Sequence, residues 1–271
     1  MSNNSRMTPR ERMVRVYDRT MRGSYQRRYY DNSGFFNFGY WALGATSQRE
    51  ASEALVDRLA AGIVGKPARL LDVACGLGAS TKRLTLSFSP DTITAINISD
   101  AQIADARVRV PECDLRVMNA TELGFPDNHF DAIICVEAAF HFDTREKFLR
   151  EAYRVLKPGG ALMLSDILFR PIPAFVSNAA QVPRANLVPN IMAYRARIAA
   201  AGFIDNEVVD ATSDCLGGFR RNLSRWAGSE YRAGRMKLSR AIGTGLVGKL
   251  IAGYFGLTCK KYLLVSARKP S

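Results

Sequence analysis

The sequence predicts an α/β fold: a doubly wound, mostly parallel sheet of seven strands, with a helical lid at the N-terminus and a cap inserted late in the chain. Three observations carry this reading. Near-continuously apolar runs alternate with helical patterns from residue 48 to residue 169, and strands that are apolar throughout are covered on both faces, as in parallel sheets. A two-glycine turn, Cys75-Gly76-Leu77-Gly78, follows the first of those runs directly. After Phe169 the alternation breaks into a segment punctuated by Pro171, Pro173, Pro183 and Pro189.

The first 47 residues read as the lid: helical in pattern, then aromatic in "YYDNSGFFNFGYW". A helix is expected from Gln48 to Ala61. "RLLDVA", "TITAIN", "CDLRVM" and "FDAIICVE" are the first four strands, with helices at "ASTKRLTLSF" and "DAQIADARVR" between them. "TREKFLREAYRVL" is a helix, with Phe148, Leu149, Ala152, Val155 and Leu156 along one face. It ends at "KPGG", because Pro158 cannot continue a helix and Gly159-Gly160 turn the chain. "GALMLSDILF" closes the core region, residues 48–169. Residues 170–201 form the cap and the helix "IMAYRARIAAAGF", which Gly202 stops. Residues 202–271 return to the core with the strands "DNEVVDAT" and "CKKYLLVSARK", around an inserted basic helical segment. Within that segment "AIGTGLVGKLIAGYFGL" is apolar but holds five glycines and Lys249. A packed helix is the expectation, with lipid contact at the surface as the alternative.

Composition sets outer bounds. A chain of 271 residues with 47% hydrophobic content can bury a proper core. Its five cysteines are scattered without a CxxC pair, against a zinc site or disulfide framework. The start has no apolar stretch of the secretory kind, so a cytoplasmic location is expected. Net charge is +13. It concentrates at the ends: residues 218–271 carry 12 lysines and arginines against the single acid Glu230, and residues 1–35 carry 8 arginines against 3 acids. Such charge suits an anionic substrate group or an acidic membrane surface. Nucleic acid is disfavoured, because no RNA- or DNA-binding signature accompanies it.

The glycine turn narrows the ligand. A dinucleotide-binding turn places three glycines as G-x-G-x-x-G. Here Gly76 and Gly78 fit, but Thr81 stands third. The sheet is Rossmann-like without the nicotinamide fingerprint. Asp72, just ahead of the turn, offers a carboxylate to an ammonium. Asn97 ends the second strand, where ribose hydroxyls meet such a sheet.

"LLDVACGLGAS", "NISDAQIADAR", "NATELGFPDNHFD", "EAAFHF" and "RVLKPGGALMLSD" follow one another in order. This set resembles the class I S-adenosylmethionine-dependent methyltransferases, and more narrowly the sterol, tocopherol and natural-product small-molecule subgroup. The resemblance covers residues 35–166. It implies S-adenosylmethionine as cofactor, S-adenosylhomocysteine as product and no metal. It implies that Asp72, Ala74, Gly76 and Gly78 line the methionine part. Asn97 would bond ribose, with Gln102 nearby and Ile98 against adenine; Asn119 would meet the adenine amino group beside Ala120. The family usually carries an acid at the ribose position and Asp at the adenine position; Asn can donate and accept, so both contacts survive in neutral form. Tyr40 and Trp41 match the Gly-Tyr-Trp of the family's lid over the cofactor, with Tyr29 and Tyr30 as substrate-side candidates.

Methyl transfer needs an aligned nucleophile and, for a hydroxyl, a base. Of the two histidines, His129 lies in the polar loop "PDNHFD". His141 follows the fourth strand at the edge where open α/β sheets bind ligands. His141 is therefore the expected base. Asp166, at the end of the fifth strand, is expected to orient the imidazole or bind a substrate hydroxyl; the sugar O-methyltransferases that the sequence resembles have a His and an Asp flanking the acceptor. Glu137 is the third candidate, as cofactor contact or as base for a carbon nucleophile. The leading expectation is O-methylation of a small, largely apolar acceptor. C- or N-methylation of an isoprenoid, indole or similar scaffold, with or without phosphate, is the alternative. A non-catalytic cofactor-binding protein associated with nucleic acid is the alternative of another class. Expected partners are the small-molecule acceptor, a membrane surface met by the basic C-terminal third, and a second copy in a homodimer.

Overall fold

The computed structural model describes residues 8–171 and 182–271. Pro173 and most of the proline-broken segment of the cap lie outside them, as do the first seven residues of the lid. Seven strands form one sheet in the order β3-β2-β1-β4-β5-β7-β6. They are β1 (Leu70–Val73), β2 (Ile93–Asn97), β3 (Asp114–Val117), β4 (Phe130–Val136), β5 (Leu156–Phe169), β6 (Ile204–Asp210) and β7 (Cys259–Arg268). β1 pairs parallel with both β2 and β4, while β7 runs antiparallel between β5 and β6. The expected fold class holds. The strand order reverses between β1 and β4, and the crevice at such a reversal is where open α/β sheets take ligands.

The helices are α1 (Pro9–Met21), α2 (Ser24–Tyr29), α3 (Gln48–Ala60), α4 (Ala79–Leu84), α5 (Asp100–Arg109), α6 (Arg145–Val155), α7 (Ile191–Ala200), α8 (Gly218–Arg232) and α9 (Leu238–Thr258). Alternation along the strands feeds two cores. Leu70, Ala132, Ile134 and Met163 pack with α3, α4 and α5 on one face. Leu71, Ile133, Cys135, Leu162 and Leu164 pack with α6 and α7 on the other. Period two along a strand is what allows an unbroken apolar run to serve both layers.

Local chemistry sets the element ends. Ser47, Ser99, Thr144 and Asn190 cap α3, α5, α6 and α7 through their side-chain oxygens. Thr8 and Glu11 form a reciprocal capping box at the start of α1. Two boundaries differ from expectation. α4 ends at Leu84, shorter than the apolar pattern through Phe88. The "KPGG" turn is absorbed into the start of β5, where the register with β4 jumps from Phe130–Leu156 to Ala132–Ala161.

Candidate active site

A cavity of about 800 Å³ opens at the C-terminal ends of β1, β2 and β4. That volume suits a cofactor with a small acceptor beside it. A smaller cavity of about 160 Å³, against Arg58, Met163 and Arg268, holds none of the predicted site residues.

The floor is the turn after β1. Ala74 and Gly76 line it, both with left-handed backbone, φ +62° and +55°. A Cβ on Gly76 would stand 3.0 Å from the Met21 Cε of α1. Gly78 is corrected: it does not line the cavity. It caps α4 at φ +80°, and a Cβ there would meet the Ala106 Cβ of α5 at 2.9 Å. Its role is close helix packing. Asp72 is fully buried at the end of β1. Its Oδ2 accepts from the hydroxyls of Ser80 (2.9 Å) and Thr81 (2.7 Å). Its Oδ1 is buried with no protein partner among the described residues. Burial pushes its ionisation up to about 6, against the pull of the two hydroxyls. A buried carboxylate oxygen without a donor fits a ligand ammonium.

At the end of β2, Asn97 donates from Nδ2 to Gln102 Oε1 (3.0 Å), and its Oδ1 accepts from the Ser99 backbone (3.0 Å). Ile98, Asn119 and Ala120 complete this wall. Asn119 is held by Thr121, whose backbone N–H and hydroxyl both donate to its Oδ1. A carboxylate does reach this side of the site, but from α1: Asp18 Oδ1 accepts from Ser99 Oγ and from Gln102 Nε2, each at 2.7 Å. The acid absent at position 97 is thus supplied by the lid. Asp18 was not among the predicted residues. The signal for it was the apolar row Met13, Tyr17, Met21 at i, i+4 spacing, which turns one face of α1, and with it the neighbouring Asp18, toward the core.

His141 ends a single helical turn after β4, and its Nε2 is hydrogen-bonded to the Tyr17 hydroxyl of α1. Their rings meet edge-on at 4.9 Å. Burial holds the Tyr17 phenol well above its ordinary ionisation range, so it is neutral, and the direction of the bond follows the imidazole tautomer. Glu137, also left-handed at φ +53°, faces the same cavity. Its Oε2 accepts from the Phe38 backbone (2.9 Å) and the Tyr262 hydroxyl (2.8 Å). Burial raises its ionisation to about 8, so at neutral pH it carries a proton, left to Oε1 by the two bonds on Oε2.

Five further predicted residues are corrected. Asp166 neither lines the cavity nor pairs with His141 in the described contacts. It projects to the other sheet face, where Arg145 Nε donates to it at 2.6 Å and the Tyr194 hydroxyl at 2.7 Å. Its link to His141 is indirect. Arg145 also bonds Asn186, whose Nδ2 donates to the carbonyls of Phe140 (3.0 Å) and Phe142 (2.7 Å), on either side of His141. Trp41 turns away: its indole donates to the Phe38 carbonyl and its ring lies against Gly218 of α8. Tyr40 packs on the core, and its backbone is bonded to Ala51. Tyr29 and Tyr30 are core residues, with hydroxyls taken by Gln48 and Asn222, and by the Asn37 carbonyl. His129 lies at the opposite end of β4 beside Arg69. Among the described residues no group of three or more His, Cys, Asp or Glu could hold a metal.

Comparison with known proteins places the chain. Residues 71–164 match the family model described as a methyltransferase domain. The chain is 30% identical over 244 residues to the 27-O-demethylrifamycin SV methyltransferase of Amycolatopsis mediterranei, covering 86% of this chain and 89% of that protein. It is 28% identical over 269 residues to the erythromycin 3''-O-methyltransferase of Saccharopolyspora erythraea, covering 87% and 84%. Among solved structures, the cyclase SpnF superposes with a TM-score of 0.71 at 24% identity, over 97% of this chain and 96% of that one. The sarcosine dimethylglycine methyltransferase of Galdieria sulphuraria, described as putative, gives 0.71 at 18% identity, over 94% and 98%. A cyclase among these shared folds means that activity is argued from the site.

Proposed function

This chain belongs to the class I S-adenosylmethionine-dependent methyltransferases, and from that premise we propose that it methylates a hydroxyl of a small, largely apolar natural product, with His141 as the base. One observation carries the proposal: a hydroxyl, that of Tyr17, already sits on His141 Nε2 inside the cavity that holds the cofactor cradle. An acceptor hydroxyl would take the same position and displace it. The two O-methyltransferase relatives named above support a hydroxyl acceptor.

S-adenosylmethionine supplies an electrophilic methyl on a sulfonium sulfur. Asp72 Oδ1 would take its ammonium; Asn97, with Gln102 and Asp18, would face the ribose; Ile98, Asn119 and Ala120 would face the adenine. His141 would accept the acceptor's proton at Nε2 as the oxygen–methyl bond forms, and release it to solvent afterwards. Asn186, fixed by Arg145, holds the backbone on both sides of that imidazole. Glu137 stays neutral at pH 7 and puts no second anion beside the cationic donor's path.

Removing a positioned base costs about 10²–10⁴-fold in rate. His141→Ala should therefore lose turnover by that order on hydroxylated acceptors of the rifamycin or erythromycin kind and keep its affinity for S-adenosylhomocysteine. His129→Ala should turn over normally. Wild-type turnover should fall in acid, because protonated imidazole cannot accept. Near-normal turnover of His141→Ala on the true acceptor would refute the assignment. Glu137 supports a second reading, methylation at carbon, in its ionised form: above about pH 8 its carboxylate would remove the proton after transfer. A carbon-bound methyl in the product, with turnover lost in Glu137→Gln and kept in His141→Ala, selects that reading.

A further inference from the structure

α9 is apolar on its outward side. Its inward residues Ala241, Gly248, Ala252 and Thr258 are buried against α8 and β7. A second row at i, i+4 spacing, Leu238, Ile242, Leu246 and Leu250, faces outward, and each member is more than half exposed. Leu257 continues the row at 74% exposure. With the inward side already seated on the protein, nothing in the described fold covers the outward one. Exposed apolar faces of this extent mark a contact surface.

Charge selects the occupant. From Leu238 to Thr258 there is no acid, while Arg240 and Lys249 are present. Lys237 precedes the helix, and Arg221, Arg225 and Arg232 are exposed on the neighbouring α8. Glu230, the acid of this region, is already held by Arg28 and Arg235. A second copy of this face would set cations against cations. An anionic lipid leaflet offers phosphate to the cations and acyl chains to the leucine row, and long basic side chains reach headgroups while their stems stay in the apolar layer.

We propose that α9 lies on the surface of anionic membranes, held by its Leu238–Ile242–Leu246–Leu250 row and by the basic residues around it. α9 is long and apolar enough to cross a membrane by length and composition, but packing of its inward side on α8 and β7 keeps it parallel to the surface. Its far end is linked to the cavity wall through one intervening residue. Phe255 packs on Phe38, whose backbone N–H holds Glu137 in the cavity wall. Docking would bring the cavity near a store of apolar acceptor. That consequence rests on the acceptor proposed above; the docking does not.

The test is co-sedimentation of the full chain with vesicles of phosphatidylcholine alone or mixed equally with phosphatidylglycerol, at low and at molar salt. Binding is expected to the anionic vesicles only, and to be lost in molar salt. Leu246→Gln/Leu250→Gln should lower partitioning at least about ten-fold, from the loss of two buried leucines. Arg240→Gln/Lys249→Gln should lower it about thirty-fold, at about 1 kcal/mol per cation. Both variants should bind S-adenosylhomocysteine as wild type does, which shows them folded. Failure of wild type to bind anionic vesicles at low salt overturns the proposal. So does binding that Leu246→Gln/Leu250→Gln leaves unchanged, or a dimer in vesicle-free solution that this variant dissociates, which would make the face a self-interface. None of these readouts uses methyl transfer, so they stand whatever becomes of His141.

Discussion

Asp72 has one oxygen satisfied twice and the other not at all. Two hydroxyls fix the carboxylate's rotamer, and burial leaves its second oxygen without a donor among the described residues. The same burial raises its ionisation to about 6, and an ammonium is held best by the ionised form. Affinity for S-adenosylhomocysteine should therefore be flat above that pH and fall by up to about ten-fold per pH unit below it. Calorimetry across that range checks the slope. Asp72→Asn should bind more weakly throughout and show no such slope; a wild-type affinity indifferent to acid would remove Asp72 from the ammonium. Asp166 illustrates the opposite solution at the same scale. Fully buried, it is neutralised by Arg145, and a buried pair of this kind is costly to break because the partner charge is stranded. Its carboxylate is spent on structure, and it positions His141 only through Arg145 and Asn186.

Among the elements, α1 makes the least of its own contacts with the core and the most with the site. Tyr17 takes His141, Asp18 takes Ser99 and Gln102, and Met21 stands over Gly76. These are adjacent turns of one amphipathic helix, so the glycine turn, the end of β2 and His141 are all covered by the same element. α2 and residues 35–38 differ in kind: Tyr29, Tyr30, Phe35 and Phe38 belong to the main core. The informative truncation therefore falls between them. A chain starting at Ser24 should keep its α/β core, with unchanged far-ultraviolet circular dichroism. It should lose S-adenosylhomocysteine affinity by about ten-fold or more, the worth of hydrogen bonds to a charged group. If the shortened chain binds as tightly as the full one, α1 is packing and the Asp18 contacts are incidental.

At the scale of the molecule, Glu137 joins three parts: β4 carries it, β7 reaches it through Tyr262 and the aromatic stretch before α3 reaches it through Phe38. Its folded-state ionisation is about 8 against an ordinary value of 4.5. Between those values the folded chain keeps a proton that the unfolded chain has released. Stability is therefore greatest below the lower value and is lost as pH rises through the window toward the upper one. Urea unfolding at a series of pH values should show that decline. Glu137→Gln, neutral at every pH, should show it flattened, with the variant's advantage growing toward alkaline pH. An equal decline in the variant would assign the effect to other groups.

Much of this was legible in the chain itself. Apolar runs alternating with helical periods specify a two-sided parallel sheet, because each property is local: a period of two or of 3.6, a capping serine, a proline that stops a helix. The cavity wall of Ala74, Gly76, Asn97, Ile98, Gln102, Asn119 and Ala120, with Asp72 buried just ahead of the turn, was legible for the same reason, since these residues sit at strand ends or in the turns and helix starts just after them, and strand ends are read from periodicity. His141 followed from its place after β4. The rest depends on distances across the chain that no local pattern encodes. Asp18 and Tyr17 meet Ser99 and His141 over 81 and 124 positions. Asp166 looked available until the sheet's alternation turned it toward Arg145. Gly78 looked like a ligand turn until α5 was packed against it, and Trp41 like a lid until α8 was. Only the tertiary structure decides which polar or aromatic side chain faces the cavity and which is consumed by the core, because that choice is made by the neighbour brought alongside, and sequence separation places no limit on who that neighbour is.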